Sequence, residues 1–187
     1  ELGLKDAPVV GTIGRLSQIK GQRFLVQAMA GIIARRKDAQ CLIVGDGEEM
    51  MALRNLARAL DIKDSVHFVS SDIDTAKFLS VMDVFVFPSV KEGLGIALLE
   101  AMAAGKACVA SDIGGIRDII KDPSCGALAA VGDIGAIAGS ATAFINNKAL
   151  RQATGENAGR LVARNFSLDA MGDNIIELYK EVISAKK

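Results

Sequence analysis

The sequence carries no excess charge of either sign: 22 lysines and arginines stand against 22 aspartates and glutamates. That balance excludes the broad positive field by which a domain gathers nucleic acid or an anionic membrane, so any anionic ligand must be held by groups placed locally. Cysteine is scarce too. Cys41, Cys108 and Cys125 are odd in number and widely spaced, which argues against a disulfide framework and for buried thiols of a reducing compartment. No apolar run approaches the roughly 20 residues that span a bilayer, and the N-terminus has neither the charged nor the apolar region of a signal peptide. These absences describe a soluble, cytoplasmic domain with no transmembrane segment. Histidine occurs once, as His67 inside an apolar run, where a structural role is the simpler reading than that of a free base. The chain also opens at Glu1 without methionine and meets its first apolar run within about eight residues, which suggests a piece of something longer.

What the sequence does have is apolar periodicity. Hydrophobic residues make up 50% of the 187, enough to close one core without metal or disulfides. Strand-length runs alternate with segments of helical period, beginning with a strand over 9–14 and a helix over 22–35, where Leu25, Ala28, Met29 and Ile32 share one face. The alternation continues with strands at 41–44, 66–69, 84–87, 107–110 and 127–130, followed by helices at 48–60, 75–82, 95–104, 116–120 and 134–146. Runs such as Val84-Phe85-Val86-Phe87 have no polar alternation and suit strands buried on both faces of a parallel sheet. Right-handed crossovers then place helices on both sides. Two further helices, 149–164 and 168–184, form a tail, with Ser167 as a cap for the second. The expected fold is α/β, a single doubly wound, Rossmann-like parallel sheet of about six strands, occupying 1–187 as one domain.

Ligands of such sheets bind beyond the carboxyl ends of the strands. Four of those junctions are rich in glycine: Gly14-Arg15, Gly45-Asp46-Gly47, Glu92-Gly93-Leu94-Gly95 and Ser111-Asp112-Ile113-Gly114-Gly115. Glycines make tight turns, and they also let backbone approach a ligand closely; loop amides at a helix start favour phosphate. Arg15 and Lys20 are the cations nearest the first junction, and a pyrophosphate suits a bidentate guanidinium with a mobile ammonium. A helix starting at Gly95 adds a third positive element without a metal. Glu92 and Glu100 then need a reason to stand beside a diphosphate. The vicinal hydroxyls of a ribose or hexose supply one, because a carboxylate accepts from two hydroxyls at once.

Other patterns have simpler readings. Asp72-Ile73-Asp74 matches the D-x-D of metal-dependent sugar transferases, yet it sits just before a short helix, where aspartates cap and complement the dipole, so no metal site is assigned. Arg35-Arg36-Lys37 closes a helix at its negative end as a solvated terminus. The G-x-G of Gly45 and Gly47 lacks the third glycine of a dinucleotide fingerprint.

Taken together, Gly14-Arg15-Leu16, Lys20-Gly21, Gly45-Asp46-Gly47, Val66-His67-Phe68, the run 83–89, Glu92-Gly93-Leu94-Gly95, Glu100-Ala101-Met102-Ala103 and Gly114-Gly115 resemble the C-terminal domain of retaining glycosyltransferases of family 4. Glu92 and Glu100, with seven residues between them, match that family's E-x7-E signature. The likeness runs over about 9–179. It implies the GT-B fold of two Rossmann domains, of which the N-terminal, acceptor-binding one is not in this sequence, and a nucleoside-diphosphate-sugar donor, UDP-, GDP- or ADP-linked, with no further cofactor.

By the same resemblance Arg15 and Lys20 hold the diphosphate and stabilise charge on the leaving group. Gly14 lines the approach, Glu100 takes the ribose hydroxyls, and Glu92 with the backbone of Gly93, Leu94, Gly95 and Ile96 faces sugar and phosphates. Backbone at Val69, Ser70 and Ser71, with Gly47, bounds the base. Ser70 departs from the family's usual glycine and narrows that approach, while Asp118 stands for the acidic residue after the double glycine, preceded by Arg117. The expected activity is same-face sugar transfer by the complete protein, the isolated domain being inactive, with any peripheral membrane association made through the other domain. A nucleotide-sugar epimerase of the same fold and a standalone nucleotide-binding module are the alternatives.

Overall fold

The computed structural model describes residues 4, 6–70 and 74–184, and in it the apolar runs become β1 (Val9–Ile13), β2 (Gln40–Val44), β3 (Val66–Val69), β4 (Val84–Phe87), β5 (Ala107–Ser111) and β6 (Ala127–Ala129). All neighbouring pairs are parallel, in the order β3-β2-β1-β4-β5-β6. Alternate side chains of each strand enter opposite cores. On one face Val10, Cys41, Ile43, Val84, Val86 and Val109 meet α1 (Gln22–Arg35), α2 (Met50–Ala59) and α6 (Ile134–Asn146). On the other, Leu42, Val44, Phe85, Phe87, Cys108 and Ala110 meet α3 (Thr75–Val81), α4 (Ile96–Ala103), α5 (Gly114–Ile119) and α7 (Lys148–Asn165). Burial on both faces is why these strands show no polar alternation. The doubly wound sheet expected from the sequence is therefore the observed one.

The tail differs from the rest. α8 (Leu168–Ser184) buries no residue, and Leu168, Met171, Ile175, Leu178 and Val182 along it are exposed. Ser167 Oγ accepts from Ala170 N at 3.1 Å, the expected cap. No helix among the described residues is long and apolar enough to cross a membrane.

Element boundaries shift where glycine governs the backbone. β1 ends at Ile13 because Gly14 turns to φ 153°, and α4 starts at Ile96 because Gly95 at φ 68° is left-handed and sits outside the helix. α5 begins at Gly114, two residues before the expected start at Ile116, since Ile113 is extended and both glycines join the helix. The one-turn 3-10 segments Gln18–Lys20, Lys63–Ser65 and Pro123–Cys125 lack any periodic signal in the sequence.

Candidate functional site

β1 and β4 are neighbours whose helices leave toward opposite faces, the arrangement that opens a crevice at the carboxyl edge of a doubly wound sheet. Their pairing covers only Val10↔Val84 and Gly11↔Phe85, while the strands run on to Ile13 and Phe87. Beyond the last pair lies a crevice of about 260 Å³, walled by Gly14 and Arg15 after β1 and by Leu94, Gly95 and Ile96 at the start of α4, with Phe87 beside them. At Gly14 a Cβ would meet nothing within 4 Å, so this stretch of backbone faces open space.

Lys20 reaches the crevice through local backbone geometry. The 3-10 turn Gln18–Lys20 ends at Gly21, whose φ of 65° is left-handed and whose missing Cβ leaves room for the Pro88 carbonyl. Val90 N donates to Ile19 O at 2.7 Å, fastening this turn to the segment after β4. That contact brings Lys20 Nζ to 2.5 Å from Glu92 Oε2 and to 5.9 Å from the Phe87 ring centroid. The two side chains are 32% and 17% exposed, so the pair is partly withdrawn from water.

Arg15 behaves differently. Its side chain is 74% exposed and donates to Glu48 Oε2 at 3.3 Å. A hydrogen bond to its own backbone and, secondarily, the Arg15 guanidinium hold the Glu48 carboxyl below the usual carboxylate range. The Arg15 backbone is fixed from behind by buried Gln22, whose Nε2 donates to Arg15 O at 2.8 Å.

The N-cap residue of α4, Gly95, has no side chain to cap the helix, and Gly95 and Ile96 place the positive end of α4 at the crevice. Glu100 is exposed one turn beyond Ile96 on the same helix face and stands outside the crevice lining. Gly93 lies outside it as well; its carbonyl fills the space that a Cβ on Gly115 would take.

The loops after β2 and β3 form a neighbouring group. Gly47 has no room for a Cβ because the Leu16 carbonyl is there, Leu16 N donates to Asp46 O at 2.8 Å, and Gly45 N donates to Val69 O at 2.9 Å. Ser70 Oγ donates to Asp46 Oδ2 at 2.7 Å, which ties the two loops through the side chain that replaces the expected glycine. Of the residues singled out in the sequence, Gly14, Arg15, Lys20, Glu92, Leu94, Gly95 and Ile96 thus share one crevice, with Gly47, Val69 and Ser70 beside it.

The remaining patterns resolve locally. Asp74 caps α3, accepting from Ala76 N at 3.0 Å; Asp72 and Ser71 lie outside the described residues. His67 is inside β3 opposite Leu42. Arg36 pairs with Asp38 at the exposed end of α1. Arg117 pairs with Asp112, whose carboxyl this hydrogen bond holds below its ordinary range, and Asp118 lines a separate hollow of about 480 Å³ between α5, α7 and α8. Glu48, Gln22 and Phe87 were not singled out in the sequence. Glu48 follows directly on the Gly45-Asp46-Gly47 junction and was legible there; nothing in the sequence marks Gln22.

A family model described as "Glycosyl transferases group 1" matches residues 1–161. The chain is 32% identical over 183 residues to an alpha-D-kanosaminyltransferase of Streptomyces kanamyceticus, covering 96% of this chain and 47% of that protein. It is also 32% identical over 188 residues to an N-acetyl-alpha-D-glucosaminyl L-malate synthase of Bacillus anthracis, covering 100% of this chain and 49% of the relative. Among solved structures, HepE of Anabaena in complex with UDP and glucose superimposes with a TM-score of 0.88 at 25% identity, over 96% of this chain and 50% of HepE. The chain therefore spans about half the length of the relatives it matches.

Proposed function

Because this chain belongs to the group 1 glycosyl transferases, we propose that it is the donor-binding half of an enzyme that transfers a sugar from a nucleoside diphosphate to an acceptor hydroxyl. The observation carrying this reading is convergence: Arg15, Lys20 and the uncapped start of α4 meet at one crevice, at the switch point between β1 and β4. Those three elements suit a diphosphate, the most highly charged part of such a donor. Glu92 faces the sugar hydroxyls, Glu100 takes the ribose, and Gly47, Val69 and Ser70 bound the base. HepE, solved with UDP and glucose, makes UDP-linked sugars the first donors to test.

In the complete protein a second Rossmann domain closes over the crevice and carries the acceptor. Transfer breaks the bond between the sugar's anomeric carbon and the phosphate oxygen, whose electrons stay on the diphosphate. Arg15, Lys20 and the α4 dipole stabilise that charge. The acceptor hydroxyl adds on the same face and passes its proton to the departing phosphate oxygen.

The test is calorimetry of this chain with a nucleoside diphosphate and the matching monophosphate. Each charge-assisted contact to the second phosphate contributes roughly 1.5 to 3 kcal/mol before reorganisation, so the diphosphate binds at least about tenfold more tightly. Equal affinities overturn the diphosphate assignment.

A further inference from the structure

The Lys20–Glu92 pair has a consequence for which ligand the crevice prefers. The carboxylate is the more buried partner, at 17% exposure, and Lys20 Nζ at 2.5 Å is the cation paired with it; Arg15 is engaged with Glu48. Any phosphate that draws Lys20 away leaves Glu92 partly buried beside new negative charge, unless the same ligand brings groups that satisfy the carboxylate. A partly desolvated charge stripped of its partner is unfavourable.

The two forms of a sugar nucleotide differ in this respect. An intact donor places hydroxyl donors next to its diphosphate, and its second phosphate is a diester with a single charge. The spent diphosphate has no hydroxyls there, and its terminal phosphate carries about −1.5 to −2 at neutral pH, as phosphate monoesters do.

We propose that Glu92 discriminates the intact donor from the spent nucleoside diphosphate by exchanging partners, passing from Lys20 to sugar hydroxyls when the donor binds and being left unsatisfied when only the diphosphate is present. This rests on the donor-binding reading above. Glu92 thereby acts as a specificity residue against the enzyme's own product, and Lys20 is the group over which carboxylate and phosphate compete. The pair also keeps Lys20 folded against Phe87.

The experiment is a double-mutant cycle in titration calorimetry. The parental chain, Glu92→Gln, Lys20→Met and the double variant are each titrated with UDP and UDP-glucose, GDP and GDP-mannose, and ADP and ADP-glucose. Glu92→Gln tightens the bare diphosphate by roughly three- to tenfold, the scale of one partly exposed ion pair, and weakens the intact donor, so the preference between them reverses. In the Lys20→Met background the gain for the diphosphate shrinks to the part owed to like-charge repulsion alone. An equal gain in that background means simple repulsion and overturns the exchange; no gain, or an equal shift for both ligands, overturns the discrimination. If the parental chain binds no member of any pair, the donor-binding reading fails first and the inference with it. Cooperative melting of every variant above the titration temperature, with a parental circular-dichroism spectrum, separates these outcomes from a folding defect.

Discussion

Gly114 and Gly115 are adjacent in sequence, both begin α5, and neither has a positive φ, yet alanine at the two positions meets different surroundings. A Cβ at Gly114 meets nothing within 4 Å. At Gly115 it lands on the Gly93 carbonyl, with the Gly93 carbonyl carbon at 3.0 Å, and this obstacle is backbone of the loop that carries Glu92. Gly114→Ala trades a flexible residue for a better helix former and stabilises by about 0.4–1 kcal/mol. Gly115→Ala must push α5 and the 92–95 loop apart, an overpacking cost of about 1–3 kcal/mol. At roughly 2–4 °C per kcal/mol for a chain of this size, the first variant melts about 1–4 °C above the parent and the second about 2–12 °C below it. Differential scanning calorimetry reads this directly, and titration with the preferred sugar nucleotide shows whether moving the loop lowers affinity in Gly115→Ala. A Gly115→Ala protein that melts with Gly114→Ala would refute the claim that close backbone approach explains the glycine at 115.

Glu100→Gln weakens the bare nucleoside diphosphate by about ten- to a hundredfold, the loss of a charged acceptor worth roughly 1.5–3 kcal/mol, while melting stays put because the side chain is exposed; calorimetry showing parental affinity removes Glu100 from the ribose. Cys41, Cys108 and Cys125 are all buried, and burial pushes the Cys41 and Cys108 thiols up, so a thiol reagent labels none of them in the native protein and all three after denaturation. The Asp112 carboxyl is held below its unfolded value of about 3.9 by Arg117. Its contribution is therefore present above that value and lost as pH falls through the lower folded one, so Asp112→Asn is less stable than the parent at neutral pH and the two melting curves converge below about pH 4.

The strands were readable because double burial leaves a continuous apolar run, a signature that needs no knowledge of neighbours. α5 was harder. Its first two residues are glycines, which read as turn, and what demands the second of them, Gly115, is the carbonyl of Gly93 more than twenty positions away. The site divides in the same manner. Arg15, Lys20, Glu92 and the Gly95 junction were visible because cations, carboxylates and glycines stand at strand ends. That Lys20 pairs with Glu92, 72 residues on, depends on Gly21 fitting under Pro88, and no periodicity encodes that contact. Ser70 was legible as a departure from the family pattern; its hydrogen bond to Asp46 gives the departure a partner.

The short junction between β1 and β4 also bears on how the chain finds its fold. β1 pairs with β2 over five positions across a nearby crossover, whereas the β1–β4 contact is made by only two pairs from segments 74 residues apart, as in the bond from Val9 N to Asp83. Loop-closure entropy rises with that separation and few ladder bonds offset it, so the seam between the two halves of the sheet is the costly one to form. The crevice exists only once that seam has closed. A nucleotide added during refolding would thus register the joining of the two halves rather than the formation of either, which makes recovered binding a kinetic marker for the seam.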